Sequence, residues 1–228
     1  MAEGNKIIFD LLNTVIKIKT IFSLEAWIDK VIELSDNETE VILITQRELK
    51  KISLLKNPSN IIALADINSL PSATFDPKKP SLILDNIQDP GNMGTILRTA
   101  CWFGIKQIVC STNCTDILNP KVIQSSMGAF SFTQVFYVDL EEFIPKQKVP
   151  IYGALLDGKN ISDTNWEPNS SIIIGNEGKG IDKRLIKYIQ NPISIPQYGP
   201  MESLNAAMAT AIICDRFRMA CPHQSHPF

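Results

Sequence analysis

Ile172-Ile173-Ile174-Gly175-Asn176-Glu177-Gly178-Lys179-Gly180-Ile181 joins a short β-branched run to a loop with three glycines. Such a run predicts a strand buried on both faces, as in a parallel sheet covered by helices. Glycine lets backbone approach a ligand with no Cβ in the way. The order is GxxGxG rather than GxGxxG. The position about 20 residues on is Ile195 instead of an acid, so a nicotinamide dinucleotide site is disfavoured. Gly180 follows Lys179 where a phosphate-binding Walker loop has Ser or Thr.

Two more strand ends follow the same plan. Leu84-Asp85-Asn86-Ile87-Gln88-Asp89-Pro90-Gly91-Asn92-Met93-Gly94-Thr95-Ile96-Leu97-Arg98 reads as a strand, a Pro-Gly turn and a helix that begins near Asn92. Asn92 is placed at the cap, with Arg98 nearly two turns in and long enough to reach back to the same mouth. Ile193-Ser194-Ile195-Pro196-Gln197-Tyr198-Gly199-Pro200-Met201-Glu202-Ser203-Leu204-Asn205-Ala206-Ala207 is a strand and a loop leading into a helix over about 203–219, for which Ser203 is a natural N-cap. Taken singly, each segment is equally an ordinary capped helix.

Further strands are expected at 82–84, 107–110, 134–138 and 151–155, with helices between. This is an α/β pattern in which ligands sit beyond the carboxyl ends of the strands. Residues 1–70 alternate shorter elements. They include a helix over 4–13, strands near 16–22, 40–44 and 61–65, and a helix capped by Ser23 with Leu24, Trp27, Ile28, Val31 and Ile32 on one stripe. Thr45-Gln46-Arg47-Glu48 has capping-box spacing. Residues 71–80 hold three prolines in ten and read as a linker. The predicted division is a small α/β unit at 1–70, a linker at 71–80 and a larger α/β unit at 81–228.

Composition narrows the function. Apolar residues make up 44% and charged residues 20%, which fits a folded chain rather than a disordered one. The balance of 22 basic against 24 acidic side chains excludes coating nucleic acid by bulk charge. Lys6, Lys17, Lys19, Lys50, Lys51 and Lys56 are the places to look for a local basic patch. No apolar run reaches the ~18 residues of a membrane span, and Glu3 stands where a signal peptide would be basic, so a cytoplasmic address is expected. Cys101, Cys110, Cys114, Cys214 and Cys221 are odd in number and irregularly spaced. They read as inert thiols rather than metal ligands or disulfides. Cys221, His223 and His226 have zinc-ligand chemistry, but a frayed terminus is the simpler reading and no metal is expected.

The three strand-end segments, in this order, resemble the three motifs of the SpoU-type branch of the SPOUT RNA methyltransferases. They are Asp89-Pro90-Gly91-Asn92-Met93-Gly94 with Arg98, Ile174-Gly175-Asn176-Glu177-Gly178, and Ile195-Pro196 with Met201-Glu202-Ser203-Leu204-Asn205. The resemblance covers about 81–218. Glu3-Gly4-Asn5-Lys6 and residues 16–65 resemble, more loosely, the ribosomal-protein-like RNA-binding domain of many members, here with a shortened start. The resemblance implies a parallel-sheet SPOUT domain with a trefoil knot and a homodimer. It implies S-adenosylmethionine as cofactor, and methyl transfer to a ribose 2′-hydroxyl of tRNA or rRNA. A binding or assembly factor that keeps the fold without catalysis is the alternative.

Carried over by position, Asn92, Arg98, Glu177, Ser203 and Asn205 form the catalytic group. Gly175, Ile195, Leu204, Leu155, Asn176 and Met201 lie along the cofactor, and Arg98 and Lys179 meet RNA. A guanidinium is a poor base near neutrality, so Arg98 is better suited to gripping a phosphate and a developing alkoxide. Glu177 either orients Arg98 or takes a proton.

Overall fold

The computed structural model describes residues 1–70 and 74–222. The N-terminal part contains β1 (Ala2–Glu3), α1 (Asn5–Leu12), β2 (Ile18–Ser23), α2 (Glu25–Leu34), β3 (Glu40–Leu43), α3 (Gln46–Ile52) and β4 (Ile61–Ala65). Its sheet has the order β1-β4-β2-β3, with β2 parallel to β3 and β4 antiparallel to both β1 and β2.

The larger part runs β5 (Ser81–Leu84), α4 (Pro90–Trp102), β6 (Gln107–Ser111), α5 (Pro120–Ser126), β7 (Gln134–Val138), α6 (Leu140–Phe143), β8 (Ile151–Asn160), β9 (Ser171–Ile174), α7 (Lys183–Ile186), β10 (Asn191–Ser194) and α8 (Ala206–Ala220). Its six strands are all parallel, in the order β10-β8-β9-β5-β6-β7. The central strands β5 and β9 are buried at every position, as their apolar runs require. Alternation divides the core into two faces. Leu82, Leu84, Ile172 and Ile174 pack under α4, α5 and α8, while Ile83 and Ile173 pack against α6 and α7. The chain passes from β5 through β6 to β7 on one side and returns through β8, β9 and β10 on the other. The loops after β5 and β9 therefore diverge from neighbouring strand ends, which is a topological switch point.

Three helix starts differ from the sequence reading. Ser23 closes β2 and is buried, with its hydroxyl donating to the Leu24 carbonyl. Leu24 is the N-cap of α2, and along the expected stripe Val31 is buried but Ile32 is exposed. Asp89, not Asn92, caps α4. Its Oδ1 accepts from the Asn92 N–H at 2.7 Å, and Pro90 takes the first helical position, where its missing N–H costs nothing. Asn205, not Ser203, caps α8, because its Oδ1 accepts from both Ala207 N and Met208 N. The capping box at Thr45 and Glu48 is present.

The described end of the 71–80 stretch is docked rather than free. Phe75 stacks edge-on to Phe136 and Phe143, and Gln107 exchanges two hydrogen bonds with the Asp76 backbone. The tail with His223 and His226 lies outside the described residues. The described cysteines are free thiols, buried except for the half-buried Cys101. Cys221 is among the buried ones, and no cluster of metal-ligating side chains occurs among the described residues. No helix among them is long and apolar enough to cross a membrane.

Gly94 sets the distance between α4 and α5. A Cβ there would lie 1.9 Å from Ser125 Oγ and 2.7 Å from the Ser126 backbone nitrogen. Gly94→Ala gains helix propensity but must push α5 aside. We expect a net loss of about 1–3 kcal/mol in urea denaturation. Stability equal to or above that of the natural protein would show that the contact is not tight.

Candidate functional site

The site lies at the switch point, where the N-termini of α4 and α8 meet the loop after β9. Glu177 is its centre. Its Oε1 accepts from Asn92 Nδ2 at 2.9 Å, from the Ala206 backbone N–H at 3.0 Å, and from Asn205 Nδ2 in a short contact. Asn205 Nδ2 also reaches Asn92 Oδ1 at 2.9 Å. Each amide is orientated by its own chemistry. Asn205 Oδ1 is occupied by two helical N–H groups, so its nitrogen must face the carboxylate. The carboxylate sits at the positive end of α8, where an anion is favoured.

The loop after β9 folds back on itself. Asn176 and Gly180 exchange backbone hydrogen bonds at 3.1 and 2.8 Å. A Cβ on Gly175 would fall 2.3 Å from the Gly180 carbonyl carbon, so only glycine permits the closure. Asn176 Nδ2 donates to the Asn86 carbonyl at 3.0 Å and its Oδ1 accepts from Gly178 and Lys179 N–H groups, which ties this loop to the one after β5. Asn86 there has φ +57, a left-handed turn that asparagine tolerates.

Of the supports beneath, Asp85 was not singled out from sequence and Cys114 was read there only as an inert thiol. Cys114 Sγ accepts from Ile87 N–H at 3.2 Å and donates to the Leu84 carbonyl at 3.3 Å, pinning the loop that leads to Asp89. A hydrogen bond from Cys110 lowers the Cys114 thiol to about 7. Asp85 is buried at the end of β5, and its Oδ2 accepts from Asp182 N–H at 2.7 Å. Burial raises the Asp85 carboxyl above the usual range, while Arg184 holds Asp182 at about 2. The available signal was a charged residue closing a buried strand, the position where backbone turns need acceptors.

The structure thus joins Asn92, Glu177 and Asn205 directly. It does not bring in Arg98 or Ser203. Arg98 is exposed on α4, six residues and about 600° of helix from Asn92, which turns it well away. It forms no ion pair with Glu177, and Ser203 lies exposed in the loop before α8. Lys179 is exposed beside Glu177. Leu155 is half-buried midway along β8 and Ile195 half-buried just after β10, and Leu204 and Met201 are exposed, Met201 at 73%.

A doubly covered parallel sheet with this carboxamide–carboxylate cluster at its switch point defines an α/β fold with a ligand site at the strand ends. Residues 79–215 match the SpoU rRNA Methylase family, and residues 1–63 match the MRM3-like substrate binding domain. The chain belongs to the SpoU rRNA methylase family. It is 30% identical over 190 residues to the 23S rRNA (guanosine(2553)-2′-O)-methyltransferase RlmP of Bacillus subtilis, covering 81% of this chain and 75% of the relative. Among solved structures it is similar to a putative RNA methyltransferase of the TrmH family from Porphyromonas gingivalis, with 32% identity, a TM-score of 0.83, and coverage of 96% and 88%. It is also similar to an AdoMet-bound rRNA methyltransferase from Sinorhizobium meliloti, with 25% identity, a TM-score of 0.82, and coverage of 96% and 86%.

Asp85 gives a pH signature with a definite sign. A carboxyl raised in the fold favours folding when protonated, so its contribution falls as pH rises from 3.8 through the raised value. Asp85→Asn keeps an acceptor for Asp182 N–H without ionising. Urea denaturation near pH 4 and near pH 7 is expected to show its stability, relative to the natural protein, increasing with pH. A relative decrease would contradict the burial argument.

Proposed function

We propose that this protein transfers the methyl group of S-adenosylmethionine to a ribose 2′-hydroxyl of tRNA or rRNA. The observation that carries the reading is the Asn92–Glu177–Asn205 cluster at the strand ends of a family member. Ribosomal RNA is the first substrate to test, because the B. subtilis relative is named for it. We infer a cytoplasmic address, in keeping with work on such RNA.

Residues midway along β8, just after β10 and in the loop before α8 suit the cofactor's chemistry. Leu155, Ile195, Met201 and Leu204 offer apolar walls for a flat adenine. The backbone N–H groups of 197–199 and 201–205 make no hydrogen bond among the described residues and are free to meet polar edges. Gly175 and Asn176 shape the facing loop. When bound, the cofactor supplies an electrophilic sulfonium methyl. We infer that the chain around these loops is threaded as a trefoil knot.

In this reading, the cofactor would supply the methyl that replaces the O2′ proton, its sulfur keeping the bonding electron pair, and the proton would pass to water at the exposed mouth beside Glu177. Asn92 and Asn205, locked by Glu177, position the nucleotide at the mouth. Arg98, which faces out from α4 onto the proposed dimer seam, would meet the adjacent phosphate and the charge developing on O2′ of a nucleotide held across that seam, a role that needs no proton from a group that rarely gives one up. Lys179 adds a second phosphate contact. Much of the acceleration then comes from alignment. Ser203 would order the loop beside the cofactor.

Residues 1–70 act as the substrate-binding unit and 81–228 as the transferase. We infer a homodimer through the outer face of α4 and α8, where Trp102 is 84% exposed and Met208 and Met219 are exposed with it. The test is incubation with labelled S-adenosylmethionine and unmodified RNA, followed by mapping of methylated riboses. Arg98→Ala is expected to lower transfer by about 10²-fold or more, with cofactor affinity unchanged within a few-fold. Turnover at the natural rate in that variant would remove Arg98 from the mechanism. Light scattering at micromolar concentration should give a dimer, and a monomer would refute that assignment.

A further inference from the structure

The five cysteines divide by what surrounds them. Burial raises the thiols of Cys101 and Cys221 and pushes Cys214 up to about 12, so these three stay protonated near neutrality. Cys110 and Cys114 form a pair. Cys110 lies in β6 and Cys114 in the turn just after it, where the Cys114 N–H bonds back to the Ser111 carbonyl at 3.0 Å. The turn brings the two side chains together, with Cys110 donating a hydrogen bond to Cys114. That bond raises the Cys110 thiol well above its ordinary value and lowers Cys114 to about 7. Cys110 is fully buried, whereas Cys114 keeps 8% of its surface in contact with solvent. One sulfur that ionises readily thus reaches solvent with a protonated partner behind it, the arrangement of an attacking and a resolving thiol.

Cys114 is also a joint in the approach to the candidate site. Ile87 N–H donates to its sulfur at 3.2 Å, and its own proton serves the Leu84 carbonyl at 3.3 Å. Beside it, Asn86 N–H donates to Ser111 Oγ at 2.9 Å and Thr115 N–H to the Ile87 carbonyl at 2.9 Å. The loop after β6 therefore braces the loop after β5. Asp89 ends the braced loop, caps α4 and so sets Asn92 against Glu177. A sulfur bonded to a second sulfur has no proton to give, and the Leu84 carbonyl then loses that donor.

We propose that Cys114 is an oxidisable site for a hydroperoxide, that Cys110 seals it as a reversible disulfide, and that this bond slackens the loop that places Asn92. The Cys114 thiolate attacks one peroxide oxygen, the O–O bond breaks and hydroxide leaves, giving a sulfenic acid. The Cys110 sulfur then displaces the sulfenic hydroxyl, which departs as water with the Cys110 proton, and the S–S bond forms. The first hydroxide recovers the proton that Cys114 released. Both thiols are oxidised and hydrogen peroxide is reduced to water. A small thiol reverses the change by exchange. The oxidation needs neither RNA nor cofactor; its effect on methyl transfer rests on the proposed function.

The test takes the full chain, reduced and then treated with rising doses of hydrogen peroxide. At each dose the protein is unfolded, alkylated and mapped by mass spectrometry. Cleavage after Lys106 and Lys121 leaves Cys110 and Cys114 as the cysteines of one peptide, 107–121. That peptide should become unalkylated and lighter by two hydrogens at doses where Cys101, the most exposed of the described cysteines, is still alkylated. Cys110→Ser should stop the chemistry at a sulfenic acid that dimedone labels on Cys114. In Cys114→Ser, Cys110 should stay open to alkylation. Methyl transfer by the oxidised natural protein should fall by about tenfold or more and return with dithiothreitol. Cys114→Ser, compared with its own untreated sample, should not respond, which separates the effect from methionine oxidation. Oxidation of Cys101 at the same or lower doses, or a disulfide to another cysteine, would overturn the site. A 110–114 disulfide with undiminished transfer would overturn its control of the loop. Failure of the reduced natural protein to methylate any RNA would overturn the proposed function, while the peptide map would still decide the thiol pair.

Discussion

One carboxylate oxygen holds together parts of the chain that are otherwise far apart. Glu177 Oε1 collects donors from α4, from the residue before α8 and from the first residue of α8. A carboxylate exposed to water has little reason to adopt one geometry. Here three donors and the N-terminus of a 15-residue helix define it. Once Glu177 is placed, the orientations of Asn92 and Asn205 follow, because each has its remaining amide atoms committed. The glycines around Glu177 serve this arrangement. Gly175 lets the loop close, and Gly94 lets α4 sit low enough on α5 to bring Asn92 into range.

The switch point explains why these groups meet. Parallel strands put all their carboxyl ends on one edge, and the chain leaves β5 and β9 in opposite directions. A gap opens between the departing loops, and the Asn176–Asn86 bond spans its base. Nothing in the cluster requires a strained backbone at Glu177 itself. The left-handed residue, Asn86, lies one step away, where a side chain can compensate for the turn.

The strands were legible because a buried parallel strand has an unmistakable composition. Ile172-Ile173-Ile174 and Leu82-Ile83-Leu84 can face apolar surroundings on both sides and little else. Asn92, Glu177 and Asn205 were legible as a group from the resemblance. What the sequence did not convey was which atom caps which helix. Asp89, Asn92, Ser203 and Asn205 all have capping side chains, and local preference alone does not rank them. The choice at Asn205 is made by Glu177, 28 residues away, which claims its amide nitrogen and leaves its oxygen for α8. Reach alone does not give direction: six residues along a helix turn Arg98 from the side of Asn92 to the outer face of α4. The lysines show the same limit. Six looked alike in the sequence, and only tertiary pairing separates Lys6, Lys17 and Lys19, each beside an acid, from Lys50, Lys51 and Lys56, which form no ion pair among the described residues.

The relation between α4 and α8 is fixed at both ends. Their N-termini meet at Glu177. At the far end Arg218 of α8 donates to the Phe103 and Gly104 carbonyls that close α4. A cation at a helix C-terminus satisfies groups the helix cannot satisfy itself. Burial of this guanidinium lowers its proton affinity, yet it keeps its charge and its forked geometry. With Phe217 buried beside it, α8 can neither slide along α4 nor rotate about its own axis without breaking bonds at one end or the other. The two helices then behave as one rigid body whose N-terminal edge carries Asn92 and Asn205 and whose outer face carries Arg98 and Trp102. Any partner seated on that outer face is registered, through the same two helices, to the Glu177 cluster.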